Sequence, residues 1–204
     1  MEHKKIVKDG YNAIANQYLE KRTRKSTDVA LLDEFTKYLQ PNDKVLDVGC
    51  GSGIPVAKIL SHKFDVTGVD FSEEQIKMAK KNIPSGTFIC QDMTQLKFPD
   101  DAFDGVCSFY AIIHIPREEH HTLLENIYRM LKPDGMALLC LGADDLPGDI
   151  HTFHNEQMYW SHFDATTYET MLKKIGFGFI FSNLVADESY DGEHLFVLVK
   201  KEEP

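Results

Sequence analysis

From Lys44 onward, apolar runs of strand length alternate with stretches of helical periodicity. The runs are KVLDV (44–48), FDVTGVD (64–70), GTFIC (86–90), FDGVCSF (103–109) and GMALLCL (135–141). Each is almost continuously hydrophobic, as expected of strands covered on both faces. Helices fit the intervals: 55–61 with Pro55 in its first turn, 73–82 behind Ser72 as cap, and 117–131 ending at Lys132-Pro133. In the last, Leu123, Leu124, Ile127, Met130 and Leu131 recur at helical spacing and mark its buried face. This alternation predicts an α/β fold, a doubly wound, mostly parallel sheet with helices on both faces.

Beyond Gly142 the alternation changes. The His-rich stretch 143–162 reads as a loop, 165–174 as a helix, and GFIFSNLV (178–185) and HLFVLVK (194–200) as strands. A turn at Tyr190-Asp191-Gly192 joins the last two, which makes them an antiparallel C-terminal hairpin. Residues 1–40 read as a helical preamble anchored by Ile14, Tyr18, Leu31, Leu32 and Phe35. One domain spans 1–204, with an N-terminal cap (1–40), a ligand-binding core (41–142) and a substrate-side segment (143–204).

Composition narrows the partners. Thirty-two acidic against 22 basic residues give a net charge of −10, which repels a phosphate backbone, and the basic run 21-KRTRK-25 reads as a solvated helix end. A small-molecule substrate is favoured over nucleic acid. The four cysteines are widely separated, no apolar run reaches bilayer length, and MEHKKIVKDG has no apolar leader region, so a reduced, cytoplasmic chain is expected.

The chemistry concentrates at strand ends. VLDVGCGSGI (45–54) joins a buried strand to a helix through Gly49, Gly51 and Gly53, a turn that lets backbone approach a ligand and aims free N–H groups outward. The dinucleotide fingerprint G-x-G-x-x-G would need glycine where this chain has Ile54. Asp47 also suits ammonium and sulfonium charge better than pyrophosphate, so the ligand reads as a nucleoside without phosphates. Asp70 ends the second strand 21 residues after Gly49, the interval at which a neighbouring strand delivers an acid to a ribose. Alone such an acid reads as a cap or turn residue; the glycine turn beside it favours the ribose. After the third strand, Asp92 and the following N–H match the amino group and N1 of adenine, with Phe71 and Met93 against the ring.

Together these segments resemble the class I S-adenosylmethionine-dependent methyltransferases of small-molecule type, with a Rossmann-like fold. VLDVGCGSG resembles the family's first motif, VTGVDFS (66–72) its second, QDM (91–93) its third, FDGVCSFYAIIHI (103–115) its fourth and MLKPDGMALL (130–139) its LKPGG segment, where Asp134 replaces a glycine. The resemblance implies S-adenosylmethionine as cofactor, with Asp47, Gly49, Gly51 and Gly53 around its methionine part, Asp70 on the ribose, and Asp92 and Met93 on the adenine. YNAIANQY (11–18) resembles the family's N-terminal cap, which would lay Tyr11 and Tyr18 over cofactor and substrate.

Methyl transfer from a sulfonium needs chiefly alignment and exclusion of water, worth roughly 7–11 kcal/mol, so no universal catalytic side chain is expected. A hydroxyl or protonated nitrogen acceptor would gain from a base. His114, at the end of the fourth strand, is the candidate base, with Tyr18 as its catalytic companion and Tyr110, Trp160 and His162 as acceptor walls. Lone histidines more often serve as structural hydrogen-bonding residues. His120 and His121, like His151 and His154, lack ligand spacing, so no metal is expected. Two other readings stand beside the enzyme: an inactive methyltransferase-like binding module, and a nicotinamide-dependent oxidoreductase, which Ile54 disfavours.

Overall fold

The computed structural model describes residues 2–21, 27–186 and 192–202. Two helices, α1 (Glu2–Lys21) and α2 (Thr27–Thr36), precede the alternating core of β1 (Lys44–Val48), α3 (Val56–Leu60), β2 (Asp65–Asp70), α4 (Glu73–Asn82), β3 (Thr87–Cys90), β4 (Phe103–Ser108), α5 (His120–Met130) and β5 (Leu131–Gly142). After them come β6 (Leu146–Phe153), β7 (Glu156–His162), α6 (Ala165–Ile175), β8 (Phe177–Ala186) and β9 (Glu193–Lys201). Seven strands form one sheet in the order β3-β2-β1-β4-β5-β9-β8, with β9 antiparallel to both neighbours and the remaining pairs parallel. Strand order therefore reverses between β1 and β4, and a crevice opens there at the carboxyl ends of the strands.

The nearly continuous apolar runs resolve into two faces. In β5, Met136, Leu138 and Cys140 join one core with α2, α3 and α4, while Ala137, Leu139 and Leu141 join the other with α5 and α6. β9 alternates likewise, Phe196 and Leu198 against Leu195, Val197 and Val199. Period 2 is present, but both phases are apolar because both faces are covered. The helix starts also follow local chemistry: Ser72 accepts from the Gln75 N–H at the head of α4, and Asp164 accepts from Thr167 N–H at the head of α6.

The segment 143–162 is not a loop. It forms a two-stranded antiparallel ribbon, β6–β7, whose turn is His154-Asn155 with both φ angles positive, +52° and +70°. That is the backbone of a tight two-residue hairpin, usually announced by Asn-Gly or Asp-Gly, and a histidine in its place hides the signal. β6 is also solvent-facing along most of its length and carries no core pattern. Met158 and Tyr159 of β7 pack with Val7 and Ile14, so the ribbon seats α1.

The strand hairpin at the carboxyl end forms as expected, although 187–191, which hold most of its turn, lie outside the described residues, as do 22–26 of the basic run. β5 begins at Leu131, earlier than the sequence suggests, with an irregularity opposite Phe103 to Gly105. Among the described residues no helix is long and apolar enough to cross a membrane.

Phe35 of α2 is fully buried, and its ring explains Gly105 inside β4: a Cβ there would stand 2.7 Å from Phe35 Cζ. Phe35→Ala should lower stability by about 3–5 kcal/mol in urea titrations. Gly105→Ala should cost less in a Phe35→Leu background than in the native chain, and equal costs would show that the ring does not set this spacing.

Candidate active site

At the switch point the turn after β1 stands over the ends of β2 and β4. Its Gly49 and Cys50 N–H groups both donate to Val69 O, at 2.8 and 3.0 Å, which pins the turn to the neighbouring strand. Gly49 and Gly51 have φ of +76° and +52°, and a Cβ on Gly49 would fall 2.1 Å from Ala111 Cβ. Only glycine fits the first position, for its conformation and for its space. Gly53 serves differently: it lies away from the cavity, where a Cβ would meet Ile83 Cδ1 at 2.7 Å, so it sets how closely the turn packs on α4.

The turn roofs a cavity with about 580 Å³ of space, part of it open to solvent. Tyr11, Tyr18, Gly49, Gly51, Asp70, Phe71, Asp92, Met93, Tyr110 and His114 line it, so most of the residues singled out in the sequence converge there. Asp47, Gly53, Trp160 and His162 do not line it. Asp47 is buried beneath the turn beside the Cys107 thiol, whose pKa is pushed well up by burial and by the Asp47 charge and hydrogen bond. Trp160 packs behind His114, ring centroids 5.2 Å apart. His162 stacks over Gly142, with Nδ1 donating to Asp144 O at 2.6 Å, and supports the edge of the sheet.

Asp70 is held by backbone. Oδ2 accepts from Gly51 N–H at 3.0 Å and Oδ1 from Ser72 N–H at 2.9 Å. Burial pushes its pKa up to about 6, against the lowering effect of the N–H groups of Ser72, Gly51 and Phe71. It is charged at neutral pH and keeps lone pairs for further donors.

Asp92 caps a short 3-10 turn (Met93–Gln95) by accepting from Thr94 N–H, and its other oxygen accepts from Lys4 Nζ at 3.0 Å. Burial works to raise its pKa, but the bonds from Thr94 and Lys4 prevail and hold it low. No pattern in the sequence points to Lys4, which crosses from α1 and also donates to Thr94 Oγ1 and to Glu119 at 2.6 Å.

Beyond the end of β4, His114 is buried, and the partner of Nδ1 is Tyr159 O at 2.8 Å. A carbonyl only accepts, so Nδ1 carries the proton and Nε2 is left as the acceptor for the Tyr11 hydroxyl, 3.0 Å away. Burial lowers the His114 pKa to about 4, which keeps the ring neutral across ordinary pH. Tyr110 stands at φ +53°, a conformation that costs a non-glycine residue energy, with its ring against His194 and Phe196. Among the described residues, no group of His, Cys, Asp or Glu gathers in a form that could hold a metal ion.

Sequence reasoning also missed Gln75, which lines the cavity while 1% exposed and has no hydrogen-bond partner for either carboxamide atom among the described residues. Its signal was present: Ser72-x-x-Gln75 has capping-box spacing, and it was read only as a helix start.

Residues 45–135 match the family model described as a methyltransferase domain. The chain belongs to the class I S-adenosylmethionine-dependent methyltransferases. It is 37% identical over 105 residues to 24-methylenesterol C-methyltransferase 2 of Arabidopsis thaliana, covering 48% of this chain and 28% of that one. To phosphoethanolamine N-methyltransferase 1 of Zea mays it is 31% identical over 174 residues, 80% of this chain and 32% of the relative. Across the curated relatives compared, the match spans between 28% and 49% of their own length. In fold it is similar to 1,6-didemethyltoxoflavin-N1-methyltransferase of Burkholderia thailandensis, solved with 1,6-didemethyltoxoflavin and S-adenosylhomocysteine bound. That likeness has a TM-score of 0.77 at 20% identity and covers 99% of this chain and 90% of that one.

As a carboxylate lining the cavity, Asp70 should make ligand binding pH-dependent. Because its folded pKa of about 6 lies above the ordinary carboxylate value, acid favours the folded, unliganded chain through this group as pH falls below 6. Ligand affinity should move the opposite way, since protonation spends an acceptor that ribose hydroxyls need, with a loss of up to about tenfold per pH unit below the pKa. Calorimetry with S-adenosylhomocysteine from about pH 5 to 8 should show this slope, and Asp70→Asn should bind more weakly and lose it. A flat wild-type profile would mean that the charged Asp70 does not meet the ligand.

Proposed function

We propose that this chain transfers the methyl group of S-adenosylmethionine to a small-molecule acceptor bearing an O–H or N–H group. The observation that carries the reading is the bare-backbone cradle of Gly49 and Gly51 joined through one hydrogen bond to the partly buried Asp70 carboxylate. A turn of glycines at positive φ that leaves backbone bare at the cavity wall, next to an acid fixed with free lone pairs, fits an unphosphorylated nucleoside with a vicinal diol. Asp70 would take the ribose, Phe71, Asp92 and Met93 the adenine, and Gly49 and Gly51 the methionine part, while Asp47 and Gly53 shape the turn from below.

The cofactor supplies an electrophilic methyl group. Everything else falls to the chain's own residues: Val7, Tyr11 and Tyr18 of α1 cover the cavity and exclude water, and Tyr110 offers an aromatic wall. His114 holds a lone pair at Nε2 in a fixed tautomer, now satisfied by Tyr11, and an acceptor hydroxyl or N–H that takes over this bond would be oriented and relieved of its proton there. The acceptors named for the relatives differ in kind, a sterol carbon and an amine nitrogen, so none is carried over. A net charge of −10 favours a small acceptor over nucleic acid, and a cytoplasmic setting goes with such a metabolite.

An inactive cofactor-holding module would show the same binding without turnover, and an oxidoreductase would prefer NAD. S-adenosylmethionine and S-adenosylhomocysteine at about 100 times their dissociation constants should stabilise the fold by about 2.7 kcal/mol in thermal scans, whereas NAD should not. A shift with NAD alone would overturn the reading. In a screen of phenols, enols and amines read by S-adenosylhomocysteine formation, His114→Ala should lower kcat by about 100-fold or more and leave cofactor affinity within about twofold. Equal losses in binding and turnover would move His114 to the cofactor side.

A further inference from the structure

Gln75 stands at the third position of α4, where a capping-box glutamine ordinarily reaches back to the N–H of the cap residue. Here that N–H is taken: Ser72 N–H donates to Asp70 Oδ1 at 2.9 Å, and only the forward half of the box remains, Gln75 N–H to Ser72 Oγ at 3.2 Å. The carboxamide is thereby released from the cap. It is buried, lines the cavity, and neither Oε1 nor Nε2 has a hydrogen-bond partner among the described residues. A buried amide left without partners destabilises the chain that holds it, and a ligand that satisfies it would remove that cost.

Its position says which part of the ligand. Gly51 donates to Asp70 Oδ2, and a Cβ on the same Gly51 would lie 3.6 Å from Gln75 Oε1, so the carboxylate and the carboxamide flank one backbone unit. Asp70, charged at neutral pH, can only accept. A ribose hydroxyl that donates to it still has lone pairs, and the nearby backbone donors of Gly51 and Ser72 are already spent on Asp70 itself. Gln75 Nε2 is the donor that completes the pair. We propose that Gln75 is a cofactor-binding residue, its Nε2 donating to a ribose hydroxyl whose own proton goes to Asp70. The assignment rests on the nucleoside cofactor reading above.

Gln75→Met, close in length and without polar atoms, and Gln75→Glu, which keeps the shape but loses the donor, test it by calorimetry with S-adenosylhomocysteine. Both should raise Kd by about fivefold to tenfold, and the unliganded Gln75→Met chain should melt no lower than wild type because a buried, unsatisfied amide is gone. With 2′,3′-dideoxyadenosine in place of adenosine as probe, the penalty of Gln75→Met should vanish. Unchanged S-adenosylhomocysteine affinity in both variants would overturn the role of Gln75 and leave the cofactor reading standing, and an equal penalty for the two nucleosides would overturn the ribose assignment. A wild-type chain that binds no S-adenosylhomocysteine would overturn the cofactor reading with it.

Discussion

The Gly51 N–H to Asp70 hydrogen bond ties together two turns that the chain makes separately. One follows β1 and the other follows β2, and a ligand lying across the switch point touches both. Asp70 accepts from each turn, from Gly51 and from Ser72, so the glycine cradle and the head of α4 hold a single relative position. Val69 O fixes the first turn from the other side by accepting from Gly49 and Cys50. The geometry of the cavity thus depends on hydrogen bonds from backbone N–H groups to one strand end.

That arrangement has a cost that the fold does not hide. Burial raises the Asp70 pKa to about 6, keeps His114 neutral at about 4, and leaves the Gln75 carboxamide without a hydrogen-bond partner among the described residues. Tyr110 adds a left-handed backbone conformation. These four departures from local optimum, at Asp70, His114, Gln75 and Tyr110, meet in the lining of one cavity. This is the distribution expected when a site is preorganised for a ligand at the expense of the unliganded state.

Why the core was legible and the acceptor side less so follows from the same physics. A buried parallel strand needs a continuous apolar run, and a glycine turn at its end needs glycines at fixed positions, so KVLDV and Gly49, Gly51 and Asp70 announce themselves. Gly53 and Asp47 belong to the same motif but act beneath the turn, a distinction that spacing alone cannot carry. The β6–β7 ribbon escaped because its partner is α1 rather than the sheet and its outer strand faces water, so neither alternation nor a glycine turn marks it. With the ribbon read as a loop, Trp160 and His162 were drawn into the cavity, whereas pairing in β7 turns Trp160 behind His114 and sets His162 over Gly142. Lys4 carries no local signal and the spacing of Gln75 marks only a cap, because the importance of both lies in which partners other residues have already taken.

The cavity is accordingly built from two parts of unequal firmness. One wall belongs to the ends of the central strands, whereas the other is closed by α1, which rests on the ribbon through Val7, Ile14, Met158 and Tyr159 and on the core through Lys4 with Asp92 and Glu119, Lys8 with Glu73, and Asn12 with Ser72. Exposed ion pairs such as Lys8 with Glu73 contribute little, and a small satellite cluster opens at lower free energy than a central core. α1 is then the element whose departure uncovers the cavity with least disturbance to the sheet. Because Tyr11 is carried on α1, any displacement of that helix would open the cavity and remove the phenol from His114 Nε2 together, which joins access to the cavity with exposure of the base proposed for it.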